Sequence, residues 1–218
     1  MPDYQLFGRA GWGSVLVESQ LVWYGLQYEF EEMDDLFTSE SARAKLARVN
    51  PLSQVPTLVL PDGQVMTESA AITLHLADIT GETSLVPPPG DPARAKFLRW
   101  MVFMVANLYP TFTYADDPAR FVTGEEAQAA FRKSVDTYAI KLWRMVEGEI
   151  VGPWFLGDRF SMMDIYIAVM TRWRPRRDWF VEHSPRLTAV AQAVDAQPKL
   201  APVWARNFPV LLPPEEAP

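Results

Sequence analysis

The stretch ITGETSLVPPPGDP at 79–92 packs four prolines and two glycines into one short segment, and the pattern of the chain changes across it. Ahead of it, strand and helix spacings alternate. Beyond it, only helical spacing remains. A chain of this kind is expected to build two domains of different class. We read an α+β protein with residues 1–80 as a small β-α-β-α-β-β-α domain, 81–91 as a linker, and 92–208 as an all-helical domain. Residues 209–218 form a proline-rich tail without helical pattern.

Within the first domain, DYQLF (3–7) reads as a strand and 14–25 as a largely apolar helix. QYEFEEM (27–33) alternates like a half-buried strand, and a charged helical segment covers about 39–48. VPTLVLPDGQVMT then supplies two short strands joined by Pro61-Asp62-Gly63, which is hairpin turn chemistry. ESAAITLHLAD (68–78) opens with an acid and a hydroxyl and continues as a helix. In the second domain, 92–114, 124–148, 161–173 and 185–196 read as helices, with a kink expected at Pro110.

Composition removes several classes of function. The 218 residues hold no cysteine, which excludes disulfides, a CxxC redox pair and a cysteine nucleophile. Only two histidines, His75 and His183, argue against a histidine metal site or a histidine-dependent triad. A net charge of −7 disfavours nucleic acid and anionic membranes as partners. The N-terminus, MPDYQLFG, shows no signal peptide, and the apolar run WMVFMVA (100–106) is far too short to span a bilayer. A cytoplasmic location is expected.

Two segments carry binding chemistry. Pro56 has no N–H and cannot serve in a central ladder, so its place before TLVL suits a bend at the strand entrance. An extended peptide could pair with the main chain of Val55 there, as at a sheet edge. The acid of Glu68 can hold an ammonium, while the Ser69 hydroxyl and the free N–H groups of a helix start can hold a carboxylate. Together they suit the zwitterionic end of an α-amino acid, with the Gln54 amide in reach. The plainer alternative is a strand-start proline and a helix N-cap.

The segment NPLSQVPTLVLPDGQVMTESAAI (50–72) resembles the glutathione-binding segment of the cytosolic glutathione S-transferases, nearest a bacterial beta- or theta-like pattern. The element order, the proline-rich linker and the helical second half agree with that family. A second motif, GDRFSMMDIYIA (157–168), resembles its capping motif: Ser161 and Asp164 have capping-box spacing, and Phe160 and Ile165 could staple the first turn. The resemblance implies a thioredoxin-like first domain with a cis peptide at the Pro56 bend. It also implies a homodimer, glutathione as co-substrate, and a glutathione site at Gln54, Val55, Pro56, Glu68 and Ser69. The reaction it implies is attack of the glutathione thiolate on a small hydrophobic electrophile, without a metal. Peroxide reduction, dehalogenation, ether cleavage and non-catalytic binding are the alternatives found on related chains.

Such a reaction needs a thiol near pKa 8.5 brought to about 6.5, roughly 2.7 kcal/mol in favour of the thiolate. One hydrogen bond to the charged sulfur supplies about 1.5–3 kcal/mol and a helix N-terminus about 0.3–1. The loop GRAGWGS (8–14) has one hydroxyl, Ser14, which is therefore the expected catalytic donor; a plain helix cap is the competing role. Against the beta-class pattern, Gly13 stands where those enzymes carry a cysteine. The backbone N–H groups of Gly13 and Ser14 are further candidates. Arg9, Trp12, Asn107, Tyr109 and Tyr114 are the expected lining of the electrophile pocket, with packing as the alternative for the aromatic residues.

Overall fold

The computed structural model describes residues 3–209. The first part of the chain forms β1 (Tyr4–Gly8), α1 (Ser14–Tyr24), β2 (Tyr28–Glu32), α2 (Glu40–Ala47), β3 (Thr57–Val59), β4 (Val65–Met66) and α3 (Ser69–Thr80). This is the expected β-α-β-α-β-β-α order of a thioredoxin-like domain. The four strands lie in the order β2-β1-β3-β4. β1 runs parallel to β2, while β3 is antiparallel to both β1 and β4. The hairpin closes at Gly63, whose φ of +85° only glycine takes up freely. Helix α1 buries Ser14 to Leu21 without a gap, so it is a central element rather than an amphipathic surface one.

The second part forms α4 (Arg94–Phe103), α5 (Tyr109–Asp116), α6 (Glu125–Gly148), α7 (Met162–Met170), α8 (Arg177–His183), α9 (Pro185–Asp195) and α10 (Ala201–Asn207). Between α4 and α5 the chain widens into a π-helical turn, Met104–Leu108, instead of breaking. Pro110 explains it: the ring displaces the carbonyl four residues back and removes a donor. The Tyr109 N–H bonds five residues back, to the Met104 carbonyl.

Helix α7 is buried along its whole length and its start carries the acid of the capping motif. The Asp164 carboxylate accepts the Ser161 N–H at 2.8 Å, the Ser161 hydroxyl at 3.0 Å and the Phe155 N–H at 2.7 Å. Phe160 packs edge-on against Trp154, with ring centroids 5.0 Å apart. The basic run at 172–179 is tied down by ion pairs, Arg174 meeting Asp116 at 2.5 Å and Asp136 at 3.2 Å.

The described residues fall into two compact units, one running through Ile72 and resuming at Asp195, the other spanning Thr73–Val194. The division differs from the boundaries expected from composition, because α10 belongs with the sheet-bearing unit. The reason is Glu18, on α1 and 1% exposed. Its carboxylate accepts the Asn207 amide at 2.7 Å, the Arg206 guanidinium at 3.0 Å and the Tyr28 hydroxyl at 2.9 Å. A buried carboxylate needs such partners, and α10 supplies two of them. Burial nevertheless pushes the Glu18 carboxyl above its ordinary range. The proline-rich tail, from Val210 on, lies outside the described residues.

Candidate functional site

Strand register gathers three segments at one end of the sheet. Phe7 pairs with Thr57, and Leu58 pairs with Met66. Because β3 is antiparallel to both neighbours, the chain enters it at the edge where β1 and β4 leave. The 9–13 loop after β1, the 53–56 bend before β3 and the 67–69 corner after β4 therefore share that edge.

The Val55–Pro56 bond is cis, as expected. Neither the N–H nor the C=O of Val55 has a hydrogen-bond partner among the described residues, so both are open to an extended ligand. The bend is held from inside. Buried Asn50 donates to the Gln54 carbonyl at 3.1 Å and to the Thr57 hydroxyl at 3.0 Å, and that hydroxyl donates to the same carbonyl at 2.8 Å. The side chains of Gln54 and Glu68 are exposed, while Ser69 is buried at the first position of α3. Glu68 sits at φ +63°, a left-handed conformation that costs a non-glycine residue about 1 kcal/mol or more. Its carbonyl accepts the Ile72 N–H at 3.0 Å, which opens the helix.

The first loop ends at Ser14, the expected catalytic donor. Its side chain is fully buried. The Oγ donates its only proton to the Arg9 carbonyl at 3.0 Å and accepts the Arg9 N–H at 3.0 Å. It is neither an open hydroxyl nor the cap, since Gly13 holds the N-cap position. Gly8 makes room for it: a Cβ on Gly8 would lie 2.6 Å from that of Ser14. The amides of Gly13 and Ser14 have no acceptor among the described residues and stand at the N-terminus of α1.

Arg9 donates to the Met33 carbonyl at 3.2 Å, approaches Asp35 at 3.7 Å and lies over the Trp12 ring. Trp12 in turn packs on Phe37, with centroids 5.0 Å apart. Both residues brace the loop against the 33–37 segment. In the helical unit, Tyr109 sits in an aromatic group with Phe112 and Trp173, whereas Tyr114 meets Phe121. Asn107 lies half-buried in the π turn. Tyr109 and Tyr114 thus pack against different aromatic partners. Among the described residues no group of three His, Cys, Asp or Glu side chains gathers, and no helix is long and apolar enough to cross a membrane.

Sequence reasoning missed Asn50 and Thr57, the inner struts of the Val55 bend. The Asn50-Pro51 pair is a turn signal that could have drawn attention to the first. It also missed Asn207, which no local pattern singles out.

Residues 17–79 match the family described as glutathione S-transferase, N-terminal domain. Over 204 residues the chain is 35% identical to the uncharacterized GST-like protein YncG of Escherichia coli, covering 93% of this chain and 98% of that protein. Glutathione S-transferase GstA of Escherichia coli is 30% identical over 152 residues, covering 70% of this chain and 73% of its own length. A solved glutathione transferase homolog from Sulfitobacter, with bound glutathione, aligns with a TM-score of 0.82 at 25% identity, covering 93% of this chain and 97% of that one. Sequence, register and fold agree, and the chain belongs to the glutathione S-transferase family.

Proposed function

We propose that this protein is a glutathione transferase that ionises the bound thiol through backbone amides rather than through a side-chain hydroxyl. The peptide portion of glutathione pairs with the open main chain of Val55. Its γ-glutamyl end is held by Glu68, Ser69 and the amides at the start of α3, with Gln54 beside them. The sulfur then lies at the N-terminus of α1. Two amide donors, Gly13 and Ser14, plus the helix dipole supply about the 2.7 kcal/mol that the ionisation requires. The thiolate attacks a small hydrophobic electrophile, and the proton leaves to solvent or a leaving group. In this reading the protein works as a homodimer in the cytoplasm, in detoxification.

One observation carries the proposal: the open Val55 main chain, the Glu68–Ser69 corner and the unbonded amides at Gly13 and Ser14 share one sheet edge. Relatives named glutathione S-transferase support it. Calorimetric titration with glutathione, followed by aryl-halide conjugation, tests it. We expect micromolar-to-millimolar binding and measurable conjugation. Binding without conjugation of any tested electrophile would favour a glutathione-binding module, and no binding at millimolar glutathione would overturn the assignment.

A further inference from the structure

We infer that Asn207, near the C-terminal end of the described chain, is a positioning residue for the thiol site. Its side chain bridges the 9–13 loop to helix α1. The Oδ1 accepts the Gly11 N–H at 3.2 Å. The Nδ2 donates to the Glu18 carboxylate at 2.7 Å and to the Val203 carbonyl at 2.9 Å. Both Nδ2 partners are acceptors only, so the amide has one orientation, and that orientation turns its oxygen to the loop. Asn207 is buried, so the bridge is shielded from competing water.

Backbone packing supports the same contact. Gly11 has a φ of +75°, and a Cβ placed on it would lie 3.4 Å from the Asn207 carbonyl oxygen and 3.6 Å from the Phe208 ring. The loop is thus pressed against residues 207–208 at the point where Asn207 bonds it. Two residues further on lies Gly13, whose amide has no acceptor among the described residues and is one of the two proposed thiolate donors. Glu18 fixes the other end of the bridge, one turn into the helix whose N-terminus carries the Ser14 amide. Asn207 therefore sets the loop and the helix start relative to each other, and with them the two thiolate donors. A donor misplaced by about 1 Å can lower turnover by up to about 100-fold. The role touches neither Val55 nor the Glu68–Ser69 corner, so ligand capture and thiol ionisation are predicted to separate.

This inference rests on the reading of the site as a glutathione thiol site, and its test keeps the two apart. Asn207→Ala and the volume-keeping Asn207→Leu are compared with Lys199→Ala. Lys199 lies over the Trp23 ring in the same C-terminal region, and no contact of it with the loop is seen. Hydrogen exchange of the 9–13 amides needs no ligand. We expect exchange about tenfold faster in both Asn207 variants and unchanged in Lys199→Ala. With glutathione, we expect the thiolate absorbance to titrate about one pH unit higher and kcat to fall about tenfold, with KM for glutathione unchanged. Unaltered loop exchange or an unaltered thiol profile in a folded Asn207 variant overturns the proposal. If neither variant folds, the exchange rate of the Gly11 amide in the unmutated protein decides: protection supports the bridge, and exchange at the rate of a free amide overturns it. If the unmutated protein does not bind glutathione, the functional reading fails while loop exchange still reports on Asn207.

Discussion

The Ser14 hydroxyl and the Arg9 backbone bond each other twice: Oγ accepts the Arg9 N–H and donates to the Arg9 carbonyl, each at 3.0 Å. The pair closes the loop between β1 and α1 into a small ring. A serine engaged in this way shapes the loop. The Gly13 and Ser14 amides at the helix start have no acceptor among the described residues.

Ser14→Ala is expected to act first on stability. It removes the partner of the part-buried Arg9 N–H and one of two donors to the Arg9 carbonyl, which still accepts the Trp12 N–H at 3.1 Å, a loss of about 1–3 kcal/mol. For a chain of this size that lowers Tm by roughly 2–4 °C per kcal/mol. Differential scanning calorimetry checks it. A variant with unchanged Tm but a bound thiol whose pKa returns to about 8.5 would instead identify the hydroxyl as the direct donor.

Glu68 sets stability against binding. Glycine tolerates its φ of +63° without strain, so Glu68→Gly is expected to be neutral or to stabilise by up to about 1 kcal/mol. The same change removes the acid proposed to hold the ligand ammonium and is expected to weaken glutathione binding by about 10- to 150-fold, since a charged hydrogen bond contributes about 1.5–3 kcal/mol. Thermal melts and calorimetric titration of one preparation measure both effects. A stabilised variant with full affinity would remove Glu68 from the site.

Asp164 predicts a pH dependence of the fold. Burial pushes its carboxyl up to about 6, against the pull of the hydrogen bonds from Phe155 and Ser161. The folded chain therefore holds this proton more tightly than the unfolded chain, whose group titrates near 3.8. Its contribution is greatest below about pH 4 and is lost as pH rises through about 6. Denaturant unfolding across that window is expected to show stability falling with pH, and Asp164→Asn should flatten this component. Asp164→Ala, which orphans buried donors at the start of α7, is expected to cost about 3 kcal/mol.

Much of the architecture was legible because its signals are local. Hairpin residues at 61–63, the alternation at 27–33 and the capping spacing of Ser161 and Asp164 each act within a few residues, so propensity and pattern coincide with the fold. The short helices α8 and α10 were not legible, because each has only seven residues and too little periodicity to register. The Pro110 kink was expected, but its form as a π turn depended on how the neighbouring carbonyls rearranged.

By itself, the sequence determined the element order of the first domain, the proline bend before β3, the acid-and-hydroxyl start of α3 and the absence of cysteine. Only the tertiary structure decided which groups at the first loop remain free. Ser14 was the sole hydroxyl candidate until its partner on Arg9 was in view, and Asn207 reaches Gly11 across 196 residues of chain. Hydrogen-bonding capacity is written in the residue type, but whether a donor is spent or available depends on what folding brings beside it.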